Sequence, residues 1–170
     1  MSKIEVNELA ARSGTNIAMT SGHTMQPNFH SSTAFPAGHV IQTVINTSTS
    51  NISTTSTTPQ DVISASITPK FATSTIHIEG YISRLEIVYG SSNAYASVYL
   101  RDPSDNNITT GVSGEAGDSN SSPAAIFATH SPNATSSQTY KLMFSKASGG
   151  TTSTSTDSQR YTIKLTEVAQ

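Results

Sequence analysis

Apolar residues recur at every second position in four separate stretches of this chain. Ile76, Ile78, Gly80 and Ile82 alternate with His77, Glu79 and Tyr81, and Ala96, Val98 and Leu100 with Tyr95, Ser97 and Tyr99. Further on, Tyr140, Leu142 and Phe144 alternate with Lys141, Met143 and Ser145, and Tyr161, Ile163 and Leu165 with Thr162, Lys164 and Thr166. Successive side chains of an extended strand point to opposite faces, so a period of two predicts strands with one buried and one solvated side. Ile63, Ala65 and Ile67 set against Ser64 and Ser66 make a fifth such strand, stopped by Thr68-Pro69. The run His39 to Ile45 is apolar on both sides and predicts a strand buried on two faces. Ala125 to Thr129 reads as another short strand.

The breaks between these runs are rich in turn residues. Arg101 to Asn107 contains Pro103 with Asp102, Asp105 and two asparagines, so it predicts a turn: Pro presets φ, and Asp and Asn bond back to nearby backbone. Thr47 to Thr58 is either a loop or an edge strand, closed by Pro59. Gly111 to Pro123 predicts a long surface loop, and Ser148 to Ser158 a polar hairpin loop around Gly149-Gly150. About eight short strands without helical periodicity predict an all-β, antiparallel, jelly-roll-like β-sandwich. Immunoglobulin-like topology is the alternative, because strand order is not written in a single sequence.

Residues 1–38 differ from the rest. Ile4, Val6 and Leu9 start a weak apolar pattern, Arg12 to Thr15 breaks it, Ile17 to Met19 gives a brief strand, and Gln26 to Gly38 holds two prolines with little periodicity. Such a segment cannot bury itself. It predicts an extended N-terminal arm over 1–38 that packs on another chain or a larger surface, followed by a sandwich domain over 39–170, with Ile4, Val6, Leu9 and Ile17 as the subunit or particle contacts.

Composition adds constraints of its own. Serine and threonine account for 54 of 170 residues, which clothes the outward strand faces in hydroxyl groups. The apolar share of 34% falls below the ~45–50% of average globular chains, so a lone copy has a thin core that association would complete. A formal charge of −2 provides no cationic surface for nucleic acid phosphates or an anionic membrane, and neither partner is expected. There is no cysteine, hence no disulfide or thiolate metal site. The first residues lack the apolar run of a secretory signal and no stretch approaches ~20 apolar residues, so a soluble product made in the cytoplasm, without membrane insertion, is expected.

Candidate chemistry is sparse. His23, His30, His39, His77 and His130 show no metal-ligand spacing; only a threefold assembly bringing three copies of His23 or His30 to its axis would make an ion site. Asp102 to Asn107 offers oxygen ligands without the spacing of a calcium loop, and no G-x-S-x-G elbow marks a nucleophile. Glycoside cleavage would need two carboxyl groups in one groove, for example Glu79 with Glu86 or Asp102, and the strand reading does not bring them together. No cofactor is expected, and the chain reads as a non-enzyme. Tyr89, Tyr95 and Tyr99, with Tyr81 nearby, offer aromatic area for a sugar face or a protein partner; the alternative is cross-strand packing or a subunit interface.

Several strings together resemble virion structural proteins of tailed bacteriophages, those of marine and cyanobacterial hosts above all. They are Ile4-Glu5-Val6 leading to Arg12-Ser13-Gly14-Thr15-Asn16-Ile17, then His39-Val40-Ile41-Gln42-Thr43-Val44, Ser64-Ala65-Ser66-Ile67-Thr68-Pro69, and Leu165-Thr166-Glu167-Val168-Ala169-Gln170. The resemblance covers both ends and the first half of the domain, and residues from about Tyr89 to Asn133 lie outside it. It implies a trimeric, non-enzymatic particle component, either a short tail fibre or spike or a capsid decoration protein, with itself and other virion proteins as partners. A host surface glycan is a further expected partner of a fibre. A carbohydrate-binding module unrelated to any particle is the more distant alternative.

Overall fold

A computed structural model describes residues 35–88, 94–115, 120–148, 152–154 and 160–170. Among them run ten strands: β1 (Val40–Ser48), β2 (Ser53–Thr54), β3 (Gln60–Ile67), β4 (Thr75–Ile87), β5 (Ala94–Arg101), β6 (Asn107–Glu115), β7 (Asn120–His130), β8 (Gln138–Ser148), β9 (Thr152–Thr154) and β10 (Tyr161–Val168). The described residues contain no helix. All strands belong to the compact unit Phe35–Gln170.

Two antiparallel sheets face each other. In one, the main strands lie in the order β1-β10-β4-β7, with short β9 and β2 continuing beside the far end of β4; in the other the order is β3-β8-β5-β6. Setting the short β2 and β9 aside, the pairs β1 with β10, β3 with β8, β4 with β7 and β5 with β6 join the first strand to the last, the second to the seventh, and so on inward. A long hairpin rolled up on itself in this way is a jelly roll. The strand order decides against the immunoglobulin-like alternative.

The alternating runs all turn their apolar side inward. Ile76, Ile78, Ile82, Leu100, Tyr140, Leu142, Phe144, Tyr161, Ile163 and Leu165 are buried in one core between the sheets. Gly80 is closely packed by side chains of both sheets. A Cβ there would lie 2.8 Å from Leu142 Cδ1, 3.0 Å from Ile126 Cγ2 and 3.1 Å from Leu100 Cδ2, so a hydrogen atom is the largest side chain that fits unstrained. Two fully buried tyrosines differ in their polar ends. The Tyr140 hydroxyl lies 2.9 Å from His130 Nδ1, and burial first, then the charge of Asp102, pushes its ionisation well up. The Tyr161 hydroxyl has no hydrogen-bond partner among the described residues.

Three expectations need correction. His39 to Ile45 is not buried on two faces: Val40 is 54% and Ile45 59% exposed, because β1 lies at the margin of its sheet and pairs with β10 alone. Gly111 to Pro123 is mostly strand, with β6 reaching Glu115 and β7 starting at Asn120. Small residues suit that position, since Gly111 faces Ile126 across the core, and Pro123 falls at a register shift in a strand whose described pairing is to β4 only. Within Ser148 to Ser158, Thr152–Thr154 pairs with β4 and β2 as β9. The turn over Arg101 to Asn107 forms as expected, with Asp105 at φ 65°.

Gly80→Ala is expected to destabilise the domain by about 1–3 kcal/mol through overpacking, seen as a lower urea midpoint at unchanged slope. Gly111→Ala, whose new methyl meets only Ile126 Cδ1 at 3.8 Å, is the tolerated control.

Candidate functional site

Three surfaces can carry function: the outer face of each sheet and the end where the chain enters the sandwich. The entry end is built on a buried carboxylate. Glu167 follows Leu165 on the inward side of β10 and is fully buried. Its Oε1 accepts hydrogen bonds from Lys70 N (2.7 Å), Phe71 N (3.3 Å) and Ser74 Oγ (2.7 Å), all in the β3–β4 turn, while Oε2 accepts from Gln42 Nε2 (2.6 Å) on β1. Gln42 Nε2 also donates to Thr68 O at 2.7 Å. Donors converging on one carboxylate replace its lost hydration, so no cation is needed to hold it.

Beside this knot the chain enters as a short rung. Gly38 N donates to Ala169 O and Ala169 N to His39 O, each at 2.9 Å, and Gly38 takes φ +86°, a conformation open to glycine. The Phe35 ring stacks on His39 at 4.9 Å and meets Phe71 edge-on at 5.8 Å. Entry and exit of the sandwich are therefore locked to the same turn. Sequence reasoning passed over Glu167; the available signal was an acidic residue at an inward position of an alternating strand.

The outer face of the β3-β8-β5-β6 sheet carries charged groups paired with one another, and Met143 is buried on it. Arg101 Nη1 meets Asp105 Oδ2 at 2.7 Å, Lys141 Nζ reaches Asp105 Oδ1 at 3.1 Å and Asp61 Oδ2 at 3.9 Å, and Arg101 Nε donates to Asn107 Oδ1 at 3.0 Å. The hydrogen bond from Lys141, then the charges of Arg101 and Lys141 working against a desolvation push upward, hold Asp105 below the ordinary 3.8. Asp102 is also lowered: desolvation raises it, but hydrogen bonds from Asn106 and Ser104 and the nearby His130 outweigh that. Its carboxylate is spent on its own loop, accepting from Ser104 N at 2.8 Å and Asn106 N at 2.9 Å.

On this face Tyr95 and Tyr99 are half-buried and share a side with Ser97, as their alternation predicts. The Tyr99 hydroxyl is tied to Ser145 Oγ at 3.0 Å, so its polar end is already engaged. Tyr89, and the arm residues Ile4, Val6, Leu9 and Ile17, lie outside the described residues.

The outer face of the β1-β10-β4-β7 sheet is different in kind. Strand register sets Ile45, Lys164, Glu79 and Phe127 side by side in one row across all four strands. Phe127 is 66% and Ile45 59% exposed, and between them Lys164 Nζ meets Glu79 Oε1 at 2.7 Å. Thr43, Thr166, His77 and Thr129 form the row on one side, and Thr47, Thr162, Tyr81 and Ala125 the row on the other. A shallow open depression over β4 and β7 is lined by His77, Glu79, Phe127 and Thr129 among others.

Neither acid pair considered from the sequence, Glu79 with Glu86 or with Asp102, comes together. Glu79 and Glu86 are seven positions apart on β4, roughly 20 Å at strand rise, against the ~5–9.5 Å that glycosidase carboxylates need, and Asp102 lies in the turn after β5 on the other sheet. Among the described residues no cluster of His, Cys, Asp and Glu could hold a metal ion, and no helix is long and apolar enough to cross a membrane.

No family model matches the chain, and no curated protein matches it. Solved structures with some likeness include the VP2 protein of infectious bursal disease virus as a D431N mutant in derived T=1 particles (12% identity, TM-score 0.36, 76% of this chain and 36% of that one). Structures of the Gt strain (12%, 0.36, 77% and 38%) and the Gx strain (14%, 0.36, 77% and 38%) of the same virus stand at the same level. The chain thus spans little more than a third of the chains it overlaps.

Glu167→Ala is expected to cost about 3 kcal/mol or more by stranding buried donors. Glu167→Gln should cost less, since one oxygen still serves the turn while its amide opposes Gln42 Nε2; urea unfolding of the three proteins tests the order. The lowered Asp102 and Asp105 stabilise the fold above the ordinary carboxylate range, and that contribution is lost as pH falls through their native values. Asp105→Asn should flatten the fall in stability measured from pH 5 downward.

Proposed function

We propose that this chain is a non-enzymatic structural component of a virion, of the tailed-phage kind its strings resemble, anchored by the arm 1–38 with the sandwich facing outward. The observation that carries this reading is the polarity of the sandwich. Phe35 to His39 dock at one end, beside the turn after β3, whereas β4, β6 and β8 all run away from that end. The connections leaving Val88, Glu115 and Ser148 therefore start at the opposite end, where an anchored domain meets its surroundings. Jelly rolls recur in capsid and lectin domains, which supports the reading by analogy of fold only.

In this reading the arms of three copies wind about one axis, burying Ile4, Val6, Leu9 and Ile17 between subunits or against other virion proteins. Projecting end-on, such a trimer serves as a short tail fibre or spike that meets a host surface glycan. Capsid decoration is the second reading, and one observation favours it: the Tyr99 hydroxyl, one of the groups a glycan would use, is held by Ser145.

Quantitative mass spectrometry and immunolabelling of intact particles test the proposal. Virion localisation is expected; a few dozen copies at the tail support the fibre and hundreds on the head support decoration. Absence from purified particles, or sugar turnover by the purified chain, overturns the reading.

A further inference from the structure

The row Ile45, Lys164, Glu79, Phe127 has an order that matters: apolar, cation, anion, apolar, on four neighbouring strands. We propose that the outer face of the β1-β10-β4-β7 sheet is a contact between two copies of this chain, related by a two-fold axis lying in the interface and parallel to the strands. Such an axis reverses the row from left to right while keeping its level along the strands. Ile45 of each copy then covers Phe127 of the other, and Lys164 of each covers Glu79 of the other.

Charge decides among the face-to-face arrangements. A two-fold axis running along the row would stack Lys164 on Lys164 and Glu79 on Glu79, which is repulsive. The axis along the strands turns one half-exposed ion pair per copy into an alternating square of four charges and covers the two large exposed apolar side chains with each other. The flanking rows are compatible, since Thr43 falls opposite Thr129 and Thr47 opposite Ala125, while the larger His77 and Tyr81 each fall opposite a threonine, Thr166 and Thr162.

Size sets the strength. Four strands at ~4.8 Å and about seven residues at ~3.3 Å give a footprint of roughly 450 Å² per copy, at or just under the ~1,000 Å² in total that marks a stable interface. The contact is therefore weak between isolated copies and becomes firm where many copies are held together. It rests on strand register alone and neither needs nor contradicts the threefold arm; where both operate, it joins one trimer to the next.

Charge-swapped variants of the full chain test it. Glu79→Lys makes the centre of the face doubly cationic, and Lys164→Glu makes it doubly anionic. In sedimentation velocity at rising concentration, the native chain should show a species of twice its basic mass, and each variant alone should lose it by about tenfold or more in affinity. An equimolar mixture of the two should restore it, because every facing pair is again opposite in sign. A purely internal role for the ion pair would weaken each variant equally and give no restoration on mixing. Circular dichroism confirms that both variants fold.

A second measurement fixes the geometry. Because the chain has no cysteine, Thr43→Cys and Thr129→Cys can each be introduced singly. A short bis-maleimide should link the mixture, while either variant alone should not link to itself, its copies being offset by about 14 Å across the sheet. Failure of the mixed charge variants to associate, self-linking of a single cysteine variant, or a native face that binds oligosaccharide yet never pairs would overturn the proposal.

Discussion

The domain depends on a single apolar layer, one side chain deep from each sheet and tightly packed around Gly80. With 34% of residues apolar, the chain has enough hydrophobic surface for the inner faces and little beyond them. Ile78, Ile82, Ile163 and Leu165 from one sheet meet Leu100, Leu142 and Phe144 from the other, and the absent side chain at Gly80 lets Leu100 and Leu142 approach the β4 backbone. Interiors pack like organic crystals, so a layer this thin has little slack at Gly80, where an added methyl group would press on Leu142, Ile126 and Leu100. Most of the apolar residues lie here, and the outward positions carry chiefly threonine, serine and paired charges, with Phe127 and Ile45 among the exceptions.

Where the apolar supply runs out, hydrogen bonds to a carboxylate close the structure. At the entry end Glu167 gathers Lys70 N, Phe71 N, Ser74 Oγ and Gln42 Nε2 around two oxygens, fixing β10, β1 and the β3–β4 turn to one another. A leucine in its place would leave those donors unsatisfied, each at a cost of about 1–3 kcal/mol. Donors and acceptor are therefore a matched set, and the position of Phe35 to His39 inherits its rigidity from them.

The sequence made the inner faces legible because burial on one side imposes a period of two, and each of the strictly alternating runs turned inward as read. The same logic failed where one side is not buried. Val40 and Ile45 looked like two-sided burial, yet a strand at a sheet margin can display apolar residues outward, and composition cannot distinguish the two. Gly111 to Pro123 looked like a loop because glycine, serine and proline are poor strand formers; across a thin core and at a margin, smallness and a missing N–H are tolerated. Glu167 was hidden because its partners are backbone amides of a turn nearly a hundred residues earlier, a pairing that exists only once the sheets are stacked. The surface row was hidden for the same reason: Ile45, Glu79, Phe127 and Lys164 are scattered along the chain, and only the register of β1, β10, β4 and β7 aligns them.

A chain this sparing with apolar side chains does not leave Phe127 and Ile45 on the outside without consequence. Single exposed apolar residues are ordinary on any protein surface, and either one alone would mean nothing. Their placement at the two ends of one row, with a cation and an anion between them in an order that a two-fold axis reads as its own complement, is a relation among four residues rather than a property of any one. On the opposite sheet the charges are already closed into a network around Asp105 and the Tyr99 hydroxyl is bonded to Ser145. The two outer faces thus differ in what they leave available. One is finished within the subunit, and the other presents a pattern that a second copy completes.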